Sequence, residues 1–253
     1  MNLQNKTAIV TGAGSGIGKA TAFRLAREGA NVVALDIHAE TAAATVDEII
    51  RNGGSAMAAQ ADIRDSARIQ AIVADVLGRY GRIDILINNA GGPAGFFKGM
   101  KSTRFIESTE DVWRMIIDIN LMGTLIVTRA VLDTMIEKRQ GKIVNIGSVA
   151  GVNGLANMAD YSAAKGGVIA FTKTLAIELG EYHINVNCVS PGSVGKYIDG
   201  ELTGGPPTFL GRPGKPEEFA NLITFLASDE ADFITGQNYI IDGGRVLSTK
   251  CPL

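Results

Sequence analysis

Disulfide scaffolds, nucleic-acid surfaces and membrane spans leave marks that this chain lacks. Two cysteines occur in 253 residues, Cys188 inside an apolar strand-like run and Cys251 at the tail. That is no disulfide framework, and neither cysteine has the neighbours a metal site needs. No run of Lys and Arg interrupts a chain of net charge −2, which argues against nucleic acid or an anionic membrane as partner. No uninterrupted apolar run approaches the ~18 residues of a membrane span. The first strand begins at Thr7, too early to leave room for a signal peptide. The expectation is a soluble, cytoplasmic protein without a metal.

What the chain does have is apolar bulk and glycine: 46% hydrophobic residues and 31 glycines, enough for a large core with many tight turns. Its length suits one α/β unit, and with no linker, repeat or low-complexity stretch a single domain over 1–253 is expected. Short apolar runs alternate with helical periodicity from end to end. That pattern predicts a doubly wound, seven-stranded parallel sheet of the Rossmann type, with helices on both faces.

The first strand, Thr7 to Thr11, runs into Gly12-Ala-Gly-Ser-Gly-Ile-Gly18 and then a helix. A strand, a glycine-rich turn and a helix N-terminus form an anion site, because backbone N–H groups and the helix dipole both favour negative charge. The spacing is Thr-Gly-x-x-x-Gly-x-Gly, since Ile17 stands where the strict dinucleotide fingerprint requires glycine. A second strand ends at Asp36, close to the ~20 positions at which a carboxylate takes the hydroxyls of an adenosine ribose. That carboxylate would repel a 2′-phosphate, which favours NAD over NADP; a helix-capping aspartate is the competing reading. Asp62-Ile63 ends the third predicted strand, Ser55 to Asp62. The fourth runs into Asn88-Asn-Ala-Gly91, a turn suited to amide contacts with a cofactor or to structure alone.

Thr109 to Lys138 reads as one long helix with Asn120 on an otherwise apolar face. That amide either bonds local backbone or binds water and bends the helix. Lys142 to Ser148 reads as a buried strand and Ala159 to Gly180 as a helix, so Tyr161 and Lys165 share a face one turn apart. An ammonium there would lower the phenol toward a working pKa, and Ser148 could steady a substrate oxygen. Alone, the Tyr/Lys pair also reads as a surface contact. Lys196 to Leu210 reads as a loop and a candidate lid over 196–210.

Taken together, Thr11-Gly-Ala-Gly-Ser-Gly-Ile-Gly18, Asn88-Asn-Ala-Gly91, Asn120, Ser148, Tyr161-x-x-x-Lys165, Pro191-Gly192 and Asp242-Gly-Gly244 resemble the short-chain dehydrogenase/reductase family over essentially the whole chain. The resemblance implies that Tyr161 is the general acid/base and that Lys165 lowers its pKa and bonds the nicotinamide ribose. It further implies that Ser148 positions the substrate oxygen and Asn120 holds a relay water. For the cofactor it implies Gly12, Ser15, Gly16, Ile17 and Gly18 at the pyrophosphate, and Asp36 at the ribose. Asp62 and Ile63 would lie at the adenine, Asn89, Ala90 and Gly91 nearby, and Pro191, Gly192 and Val194 by the nicotinamide. The implied reaction is NAD-dependent interconversion of a secondary alcohol and a ketone, in a homotetramer. A 3-oxoacyl-thioester reductase and a catalytically silent NAD-binding sensor are the alternatives. One departure is Lys196, where the family has threonine; this lysine is expected to meet an anion on cofactor or substrate, or to be a solvated loop residue. Ala156, Asn157 and Met158 are expected to face the substrate.

Overall fold

A computed structural model describes residues 1–198, 201–205 and 208–247. β-Strands β1 (Thr7–Thr11), β2 (Asn31–Asp36), β3 (Ser55–Gln60), β4 (Ile85–Asn88), β5 (Gly141–Ile146) and β6 (Ile184–Pro191) alternate with helices. The helices are α1 (Gly16–Arg27), α2 (Ala39–Arg51), α3 (Ser66–Tyr80), α4 (Glu110–Ile117), α5 (Gly123–Lys138), α6 (Val149–Asn153) and α7 (Ala159–Leu179). A hairpin, β7 (Lys196–Ile198) and β8 (Glu201–Thr203), then helix α8 (Pro216–Leu226) and strand β9 (Asn238–Ile241) complete the order.

The sheet has seven strands in the order β3-β2-β1-β4-β5-β6-β9, all pairs parallel, as the alternating pattern predicts. Strands covered on both faces carry nearly continuous apolar sequence, and successive residues face opposite layers. Thus Ala8 and Val10 enter one core with Leu25, Ile49, Phe219 and Leu226. Ile9 enters the other with Ile72, Val131 and Leu175. Helices α1, α2 and α8 therefore cover one face, and α3, α5 and α7 the other. The order reverses between β1 and β4, and the crevice at the carboxyl ends of those strands is where such sheets take ligands.

Three expectations need correction. The segment Lys196–Leu210 is not all loop: β7 and β8 pair antiparallel, Tyr197 opposite Leu202. Their short sequence has no long alternation to reveal them. Asp199, Gly200, Pro206, Pro207 and the tail from 248, with Cys251, lie outside the described residues. The long helix is interrupted by one π turn, Asp118–Met122, centred on Asn120. Finally, β5 ends at Ile146, so Ser148 caps the following helix instead of closing the strand. By length and composition alone the continuous helical stretch Glu110–Lys138, 29 residues containing an 18-residue window of mean hydropathy 1.7, could cross a bilayer. The charges of Asp118 and Arg129 break its apolar run, and its Val127, Val131 and Met135 are buried against the sheet.

Candidate active site

The loop after β1 is built for close approach. Gly18 lies in the first turn of α1, and a methyl group there would sit 2.1 Å from the Gly12 carbonyl oxygen and 2.5 Å from Asn89 Nδ2. Only glycine fits without moving backbone. We expect Gly18→Ala to destabilise the fold by about 1–3 kcal/mol, the usual result of overpacking, readable in urea titrations, and to weaken dinucleotide binding. Ser15 at the N-cap of α1 makes no side-chain cap bond, and no acid stands in the first turn. The leading amides of a 12-residue helix are thereby left for an anion.

Asp36 is buried at the end of β2. Its Oδ2 accepts the amide of Gly14 (2.9 Å) and its Oδ1 that of His38 (3.0 Å). The carboxylate thus holds the glycine loop in place and stands beside it. The β4 exit is stapled to the same loop: Thr11 Oγ1 accepts the amides of Asn89 (2.9 Å) and Ala90 (3.0 Å). Asn89 Nδ2 in turn donates to the carbonyl oxygens of Thr11 (3.0 Å) and Gly12 (3.2 Å). Sequence reading places Thr11 in the glycine motif without a role; the hydroxyl at a strand end is the signal that could have found it.

Asp62 lies two residues past β3 with its carboxylate gripped by Arg64, Nη2 to Oδ2 at 2.6 Å. Those hydrogen bonds hold Asp62 below the usual carboxylate range. Ile63 is buried and presses on Gly123, so its side chain belongs to the core. Pro191 closes β6, and the amide of Gly192 donates to Ile241 (2.8 Å). Val194 forms an isolated bridge with Gly214. Asp242 accepts the amides of Gly244 (2.8 Å) and Val246 (2.7 Å) and shapes the turn after β9.

At the centre of the crevice, Ser148 caps α6 by accepting the amide of Ala150 (3.1 Å), and its hydroxyl stands near enough to the phenol of Tyr161 to favour the phenolate. Lys165 is 3% exposed. Its Nζ donates to the Ile146 carbonyl (2.7 Å) and lies 5.8 Å from the centroid of the Tyr161 ring. The expected lowering of the phenol is not what this geometry gives. Burial pushes Tyr161 above its ordinary value, with Ser148 pulling the other way. The same burial pushes Lys165 down to about 8, and the neighbouring Cys188, whose own thiol is pushed up by burial, opposes that shift. A low-dielectric pocket penalises phenolate and ammonium alike, and the nearest acceptor of the ammonium is a carbonyl rather than the phenol.

Asn120 is fully buried and neither of its two expected modes describes it fully. Its Nδ2 donates to the local Ile116 carbonyl (3.0 Å) and also to that of Gly92 (3.0 Å), while its Oδ1 accepts the Gly92 amide (2.9 Å). The π turn lets it reach across to the loop after β4. Gly91, at φ +139°, must be glycine there, because a methyl would meet Asn120 Oδ1 at 2.4 Å.

Behind these groups runs a buried chain of polar side chains. Asn88 Nδ2 donates to Thr128 Oγ1 and to Asn145 Oδ1 (both 2.8 Å), and Asn145 Nδ2 donates to Thr172 Oγ1 (2.9 Å). This chain locks β4, β5, α5 and α7 in register beneath Tyr161 and Lys165. Asn145 is absent from the sequence-based set, although an amide at the middle of an apolar strand marks it. Lys196 holds its ammonium 5.3 Å from the centroid of the Phe96 ring, a cation–π contact joining the β7–β8 hairpin to the loop after β4. Asn157, expected near the substrate, lines a pocket beside Asp160 and Trp113.

The model of the short chain dehydrogenase family matches residues 6–203. Among similar proteins is "(2S)-[(R)-hydroxy(phenyl)methyl]succinyl-CoA dehydrogenase subunit BbsD" of Thauera aromatica, 42% identical over 98% of this chain and 99% of the relative. A "3-oxoacyl-[acyl-carrier-protein] reductase" of Synechocystis sp. (strain ATCC 27184 / PCC 6803 / Kazusa) is 42% identical over 97% and 98%. The crystal structure of levodione reductase superposes with a TM-score of 0.87 at 30% identity, covering 98% of this chain and all of that one. With these matches and the seven-stranded sheet, the chain belongs to the short-chain dehydrogenase/reductase family of oxidoreductases.

Proposed function

We propose that this protein interconverts a secondary alcohol and a ketone with NAD(H), Tyr161 moving the proton. The observation that carries the reading is the grouping of the Ser148 hydroxyl, the Tyr161 phenol and the buried Lys165 ammonium, 5.8 Å from the centroid of the tyrosine ring, beyond the carboxyl end of β5. A dinucleotide suits the residues present: uncapped amides at the start of α1, a glycine at position 18 with no room for a side chain, and the Asp36 carboxylate beside the loop. Gly12, Ser15, Gly16, Ile17 and Gly18 would hold its pyrophosphate and Asp36 its adenosine ribose. Asp62, Ile63, Asn89, Ala90 and Gly91 would lie along the adenosine side, and Pro191, Gly192 and Val194 by the nicotinamide. When bound, the nicotinamide supplies or accepts the hydride.

The chain's own residues do the rest. Ser148 Oγ donates a hydrogen bond to the substrate oxygen and keeps it within reach of the phenol. Tyr161 rests protonated because burial disfavours phenolate, so its Oη–H is ready to protonate the oxygen of a ketone being reduced. In oxidation the same oxygen takes the alcohol proton. Lys165 favours the phenolate when it forms, and Asn120 holds the Gly92 loop that walls the crevice.

Cofactor choice and substrate are tested together. NADH is expected to give at least about tenfold higher kcat/KM than NADPH on a panel of ketones, and Asp36→Ala to bring the two within a few-fold; tenfold corresponds to about 1.4 kcal/mol. A preference for NADPH with strong turnover of 3-oxoacyl thioesters would favour the thioester-reductase reading. Cofactor binding without turnover of any panel member would favour the sensor.

A further inference from the structure

Between Asp84 and Glu107 the chain carries Lys98, Lys101 and Arg104 and no carboxylate. All three are exposed, and among the described residues none of them forms an ion pair; the nearby Glu110 is held by Arg114. Lys101 lines a pocket together with Ser102, Thr103, Ser108, Trp113 and Asn157. The wall is braced by aromatic packing, with the Phe105 and Trp113 rings stacked at 4.7 Å and Trp113 Nε1 donating to Ser108 Oγ (2.9 Å). Asp160, the carboxylate in the lining, accepts the amide of Tyr161 (2.8 Å), so its charge is partly engaged by the start of α7.

The pocket therefore joins a free cation and several short hydroxyl and amide side chains to the turn that carries Tyr161. We propose that it receives an oxyanion, a carboxylate or a phosphate, borne by the far end of the substrate whose carbonyl or alcohol carbon reacts at Tyr161. This rests on the oxidoreductase reading and adds a substrate class to it. The cationic loop, having no carboxylates of its own, concentrates anions at the mouth of the crevice, and Lys101 with the hydroxyl donors fixes the group in place.

Trp113 is the single tryptophan of the chain and stands in the pocket wall, so its fluorescence reports occupancy without any turnover. Wild-type protein is titrated with coenzyme A against pantetheine, and with succinate against dimethyl succinate. At least one anionic member is expected to give a saturable change with about tenfold tighter binding than its neutral twin. Lys101→Glu should remove that difference and Lys101→Arg should keep it, circular dichroism showing both variants folded. A response to coenzyme A alone identifies a phosphate, and one to succinate alone a carboxylate. Neutral twins binding as tightly, no response to either anion, or an unchanged response in Lys101→Glu would overturn the proposal. Failure of the oxidoreductase reading shows separately, as absence of ketone-dependent NAD(P)H oxidation by the wild type.

Discussion

Replacing Tyr161 with Phe is expected to lower kcat by about 10²–10⁴-fold, the range that a positioned proton donor supplies, while cofactor affinity stays within a few-fold. The substitution deletes one oxygen. Ser148 keeps its bond to the Ala150 amide, so the cap of α6 survives, and the change in stability should remain near the ~1 kcal/mol of a single hydrogen bond. Steady-state kinetics beside a cofactor titration separates the two effects. A variant retaining a tenth or more of wild-type kcat would show that the proton travels by another group.

Lys165→Met should also cost kcat about 10²-fold or more, and it carries a second, thermodynamic signature. The methionine fills similar space but leaves the Ile146 carbonyl, which Lys165 holds at 2.7 Å, without its donor; that loss is about 1–3 kcal/mol and does not vary with pH. The charge effect does vary. Burial lowers Lys165 from 10.5 to about 8 in the folded protein. Below about pH 8 both states carry the proton and the folded state bears the full cost of a buried ammonium. Between about pH 8 and 10.5 the unfolded chain binds more protons than the folded one, so the unfolding free energy of wild type rises with pH relative to the variant. Urea titrations of both proteins at pH 7 and pH 10 measure the difference. A gap between them that stays constant, or moves toward the methionine variant at high pH, would show that Lys165 is not depressed by burial.

These two residues show what one-dimensional spacing can and cannot reveal. That Tyr161 and Lys165 face the same way follows from helical periodicity, and the helix that carries them is found at Ala159–Leu179. How the pocket treats their charges does not follow, because desolvation depends on atoms brought from β5, β6 and α6. Spacing alone would let the ammonium acidify the phenol; the packed protein instead pushes the phenol up and the ammonium down. Asn120 gives the same lesson. Its oddness on an apolar helix face was visible in the residues, but its partner, Gly92, lies on another element, and only the π turn lets the two meet. The β7–β8 hairpin was hidden because three-residue strands carry no readable period.

The residues by themselves determined the architecture, since apolar strands alternating with amphipathic helices have few other ways to bury both faces of a sheet. They also marked the glycine turn, Asp36, Ser148, Tyr161 and Lys165 as a set. Tertiary structure alone decided which carbonyl Lys165 binds, which way its proton equilibrium and that of Tyr161 move, and that Lys101 stands in a pocket at the start of α7. The physical reason is common to all three. Local preference acts between neighbours along the chain, whereas dielectric environment and hydrogen-bond partnership are set by groups that the fold alone brings together.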